Sequence, residues 1–82
     1  MMALANNIET LPARWVHPNK KRYYHVFLSC DLLGDWIVTK SWGGLGTSLG
    51  RAAHVACPSL EEAKKLIETI AGTRTKRGYI LR

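Results

Sequence analysis

The sequence predicts a small α+β domain, an antiparallel sheet of about four strands with one helix packed across it. Three observations point there. Residues 22–30, 36–42 and 51–57 alternate apolar with polar side chains, the period of a half-buried strand. Residues 59–71 carry apolar side chains at helical spacing instead. The chain has 82 residues, room for one domain and one small core.

Taken in order, residues 1–12 read as a flexible leader, with Asn6 and Asn7 disfavouring a helix, ahead of a single domain over residues 13–82. Residues 14–17 suit a short strand closed by the turn signal Pro18-Asn19. In residues 22–30, Tyr24, Val26, Leu28 and Cys30 share one face, and Tyr23, His25, Phe27 and Ser29 the other. Asp31 to Asp35 is a loop in which Gly34 is free to take positive φ. It leads into a second strand with Trp36, Val38, Lys40 and Trp42 on one face. Gly43, Gly44, Gly46 and Gly50 make the next connection glycine-rich before the small-residue strand 51–57. Ser59 and Glu62 have capping-box spacing, and Leu60, Ala63, Leu66, Ile67 and Ile70 form the apolar stripe of the helix. Gly72 reads as its terminator, leaving a basic tail (Arg74, Lys76, Arg77, Arg82) that ends in a short edge strand or arm over residues 78–81.

Composition narrows the function. Twelve Lys and Arg against six Asp and Glu leave a net charge of +6, which favours anionic partners. Cys30 and Cys57, flanked by apolar residues, suit buried thiols in a reducing compartment. With His17, His25 and His54 they lack the paired spacing of a zinc site, so no metal is expected. Residues 1–12 lack signal-peptide features, and no run approaches the ~18 apolar residues of a membrane span, so a cytoplasmic location is expected. The scattered histidines and carboxylates form no catalytic set, so neither enzymatic activity nor a cofactor is expected.

The glycine loop is not a nucleotide cradle. A P-loop needs two glycines five places apart followed by lysine, and neither condition is met. Gly44, Gly46 and Gly50 also miss the dinucleotide spacing by one residue, and the loop runs into a strand instead of a helix N-terminus. Its backbone role is a hairpin connection. Trp42, at its lip, is readable either as an exposed stacking platform or as a core residue sharing a face with Trp36 and Val38.

The run Trp42-Gly43-Gly44-Leu45-Gly46-Thr47, preceded by Tyr23-Tyr24 and Trp36 and followed by Pro58-Ser59 and Glu62-Ala63, resembles the WGR domain. That module occurs in DNA-dependent poly(ADP-ribose) polymerases and in stand-alone bacterial proteins. Arg22-Tyr23-Tyr24, the loop from Asp31 to Trp36 and the ending Lys76-Arg77-Gly78-Tyr79 are most similar to the bacterial branch. The resemblance implies a sheet with one helix across it and a role in gripping a DNA end. It also implies that Trp42 packs on a terminal nucleotide while Lys21 and Arg22 approach a 5′ phosphate. One departure stands out: the arginine expected third in the motif is Gly44. Losing a planar cation there argues against tight or end-specific binding.

The expectation is therefore a non-catalytic nucleic-acid-binding module, with DNA favoured. Trp42 would stack, and Lys20, Lys21, Arg22, Lys40, Arg51, Lys76 and Arg77 would supply phosphate contacts. The competing expectation is a protein-interaction module that regulates a cytoplasmic partner through an exposed sheet edge.

Overall fold

The computed structural model describes residues 12–47 and 50–82. Except for Pro12, the expected leader lies outside them. Five strands, β1 (Ala13–His17), β2 (Arg22–Cys30), β3 (Trp36–Gly44), β4 (Gly50–Cys57) and β5 (Ile80–Leu81), form one sheet in the order β4-β3-β2-β1-β5. Every neighbouring pair is antiparallel. The helix α1 (Leu60–Lys76) lies across one face, as expected.

Alternation dictates which face is covered. Trp15 of β1, Val26 of β2, Val38 of β3 and Cys57 of β4 meet Ala63 and Ile70 of α1 in one buried cluster. Tyr24, Leu28, Trp36, Val55, Leu66, Ile67 and Tyr79 pack around its margin. Directly opposed residues of antiparallel strands project from the same face. The pairs Arg22 with Gly44, Tyr24 with Trp42, Val26 with Lys40 and Trp42 with Arg51 therefore put five cationic or aromatic positions beside the core, on the helix side.

Both ends of α1 are capped by identifiable groups. Ser59, in extended conformation, accepts a hydrogen bond at Oγ from the Glu62 N–H at 3.2 Å. At the other end the helix passes through Gly72 and stops only at Lys76, which corrects the expected boundary. A glycine inside a helix costs only about 1 kcal/mol, and beyond it Arg74 packs on Tyr24 and Tyr79. Gly78, with φ of +88°, is the residue that turns the chain. Its N–H donates to the Thr75 carbonyl at 3.1 Å, and the Tyr79 N–H donates to that of Arg74 at 2.9 Å. Arg74 and Lys76 thus belong to the last helical turn and not to a loose tail.

One cysteine also departs from expectation. Cys57 is buried, whereas Cys30 is exposed at the end of β2.

Candidate nucleic-acid interface

The site is assembled at the end of the sheet where β2 begins and β3 ends. There the β1–β2 turn and the glycine loop are tied together, because the Leu45 N–H donates to the Lys21 carbonyl at 2.8 Å. Lys21 itself sits at φ of +53°, and the Lys20 N–H donates to His17 Nδ1 at 3.1 Å. The turn is therefore shaped by its backbone bonds, and the Lys20 and Lys21 side chains are exposed outside the cavities described next.

Two adjoining cavities share Arg22 and Trp42 as walls. The first, about 430 Å³, is lined by these two and by Tyr24, Lys40, Arg74, Arg77 and Tyr79. The second, about 380 Å³, adds Arg51 and the bare backbone of Gly43, Gly44 and Gly50. Of the three, Gly44 stands opposite Arg22 on the helix side, so the missing side chain there leaves main chain open to a ligand. Of the expected contacts, Arg22, Lys40, Trp42, Arg51 and Arg77 are brought together. Lys20, Lys21 and Lys76 are exposed and line neither cavity.

Trp42 is partly exposed and lies outside the core cluster. One face of its indole is stacked on Tyr24, with centroids 5.9 Å apart and planes 15° from parallel. The ring is thereby held upright between the two cavities, supported on one side and open on another.

Arg74 is the residue that sequence reasoning passed over as part of a basic tail. Its guanidinium carbon is 4.2 Å from the Tyr24 ring centroid and 4.8 Å from that of Tyr79. The head group is thus clamped between two aromatic faces and lines the first cavity. Its Nε is buried and has no hydrogen-bond partner among the described residues. Burial pushes the Tyr24 hydroxyl above its ordinary pKa; Arg74 pulls it partly back and Tyr79 adds to the rise. Tyr79 is held in turn against His17, ring centroids 5.3 Å apart at 89°. The available signal for this clamp was helical spacing, since residue 74 lies four positions, one turn, after Ile70 on the sheet-facing side.

Chemically, the arrangement is a shallow cationic groove around an aromatic ring. Arg22, Arg51, Arg74 and Arg77 offer planar donors suited to phosphate oxygens, and Lys40 adds a point charge. Among the described residues no three His, Cys, Asp or Glu side chains gather as metal ligands. No described helix is long and apolar enough to cross a membrane.

A compact sheet-and-helix module with a cationic, aromatic groove at one end is the class that fold and site define. The family model for the WGR domain matches residues 10–82, and the chain belongs to that family. WGR domains are non-catalytic nucleic-acid-binding modules. Neither curated proteins nor solved structures give a significant match to the chain.

Proposed function

We propose that this chain binds DNA without chemistry, holding the backbone at an exposed nucleotide and reading little or no sequence. The observation that carries this reading is the convergence of Arg22, Lys40, Arg74 and Arg77 with Trp42 and Tyr24 around one cavity. Phosphates would lie along the cations while a base or sugar at a strand end packs on the open side of Trp42. Base-edge readout is not part of the reading. A recognition helix would have to present Arg, Asn or Gln outward into a groove, and the one arginine of α1, Arg74, is turned onto Tyr24 and Tyr79. DNA in place of RNA rests on the family resemblance.

The test is a fluorescence-anisotropy titration of a labelled short duplex at several salt concentrations, repeated with the matching RNA duplex. Neutralising three or four phosphates gives a log–log slope of roughly −3. Trp42→Ala should weaken binding by about 1–3 kcal/mol with little change in that slope, because stacking is not ionic. No binding at low salt, or a flat slope, overturns the reading. Equal affinity for the RNA duplex removes its DNA preference.

A further inference from the structure

Hairpin tips are ordinarily built from small polar residues, because a tip has no core to pack against. The β2–β3 tip breaks that pattern. Leu32 and Leu33 are 105% and 88% exposed, the two most solvent-accessible large apolar side chains described. Singly exposed leucines are commonplace, but an adjacent pair of which neither turns toward the sheet is a small apolar prominence.

The prominence is held in shape. Asp31 Oδ1 accepts hydrogen bonds from the N–H groups of Leu33 at 3.0 Å and Asp35 at 2.9 Å. The Asp31 N–H donates to the Asp35 carbonyl at 2.9 Å, and the Gly34 N–H donates to the Asp31 carbonyl at 3.2 Å. Gly34, with φ of +89°, completes the turn. A partner that covers the two leucines thus spends little on ordering the backbone beneath them.

Charge says what kind of partner fits. Asp31 and Asp35 flank the leucines, and Glu61 and Glu62 open α1 at the same end of the sheet, where Trp36 pairs with Cys57. The arginine groove lies at the opposite end of β2, a strand of nine residues and hence about 26–30 Å away. Carboxylates repel nucleic acid and anionic lipid headgroups alike, which leaves an apolar pocket bordered by cations.

We propose that the tip from Asp31 to Asp35 docks into a second, different protein through an apolar pocket that takes Leu32 and Leu33 and whose Lys and Arg rim pairs with Asp31 and Asp35. Docking there is independent of the DNA reading. If both hold, the chain joins a protein at one pole to nucleic acid at the other.

The experiment places a photo-crosslinking amino acid at position 33 of the full chain, and at position 68 on the outer face of α1 as control, in cells that make the protein. The expected result is one protein adduct specific to position 33 that survives nuclease. The protein identified is then purified and titrated against wild type, Leu33→Asp and Asp35→Asn. Leu33→Asp should weaken binding at least about tenfold, and Asp35→Asn should reduce its salt dependence. Both variants should keep the wild-type affinity for the duplex probe, which shows that they are folded. Equal labelling at positions 33 and 68, an adduct with a second copy of this chain, or a partner that binds Leu33→Asp as tightly as wild type overturns the proposal.

Discussion

Arg74 and Tyr24, fifty positions apart in sequence, meet face to face, the guanidinium carbon 4.2 Å from the ring centroid. Because Tyr24 also stacks on Trp42, one tyrosine positions both the cation and the indole of the groove. Tyr79 closes the other side of the guanidinium at 4.8 Å. The DNA-binding proposal therefore treats Arg74 as a preorganised phosphate contact, in contrast to the solvated Lys20 and Lys21.

Arg74→Lys keeps the charge but loses the planar stack and the five-donor fork. It is expected to cost at least about fivefold in duplex affinity, whereas Lys20→Ala and Lys21→Ala each cost less than about threefold. Anisotropy titrations at one salt concentration check the ranking. A Lys21→Ala loss larger than that of Arg74→Lys would move the site to the β1–β2 turn.

Gly44 sits where the resemblance to the WGR motif leads one to expect arginine, opposite Arg22 in the β2–β3 register. A Cβ built there meets only ordinary contacts, the nearest being Thr47 Oγ1 at 3.5 Å, and the backbone is not left-handed. Gly44→Arg should therefore fold normally and point its side chain to the helix side, beside Trp42. The expected outcome is tighter duplex binding with a salt slope steeper by about one. Calorimetry at two salt concentrations reads both quantities.

Much of this was legible in the sequence, and what was missed shares one cause. The strand faces followed from alternation in Tyr24, Val26 and Leu28 against Trp36 and Val38, since a one-residue slip would expose the whole apolar set. The helix stripe followed from Leu60, Ala63, Leu66 and Ile67 in the same way. Gly72 misled because glycine commonly ends helices, while the true stop, Gly78, is marked by a positive φ that no spacing rule reveals. Lys20, Lys21 and Arg22 form one basic run, and nothing along the chain separates them. Which of them enters the groove depends on register, and Arg22 is the one paired with β3. The Arg74 clamp joins residues from two strands and a helix, a contact that only the folded chain brings about.

Gly78 carries two constraints at once. Its φ of +88° disfavours any side chain, and a Cβ would stand 3.0 Å from His17 Nε2. Gly78→Ala should cost about 1–2 kcal/mol from the backbone alone. For a domain of this size that corresponds to a melting temperature lower by roughly 4–16 °C. Because Tyr79 follows directly, the variant should also weaken duplex binding; thermal scans and anisotropy on the same sample test both effects.

His25 lies on the sheet face that α1 leaves uncovered, beside Tyr23 at 4.9 Å and Phe27 at 6.2 Å between ring centroids. Burial of the ring, followed by the charge of Arg14, lowers its pKa below the ordinary 6.5. The unfolded chain then binds the proton more readily than the folded one. The stability associated with neutral His25 is complete above pH 6.5 and is lost as pH falls through the lowered folded value. Urea midpoints measured from pH 8 down to 5 should fall more steeply for wild type than for His25→Gln. Parallel curves would show that His25 does not contribute.

The central claim is that the cations and the indole on the helix side of the sheet form one anion-binding groove, and amide and indole NMR shifts measured during titration with a short DNA duplex test it most directly. The account predicts perturbations gathered at Arg22, Trp42, Gly43, Arg51, Arg74 and Tyr79, with the Trp42 indole N–H among the largest. Leu32, Leu33 and the opposite face around Phe27 and Thr39 should stay unmoved. Perturbations centred on that opposite face, or a spectrum unchanged at saturating DNA and low salt, would contradict it.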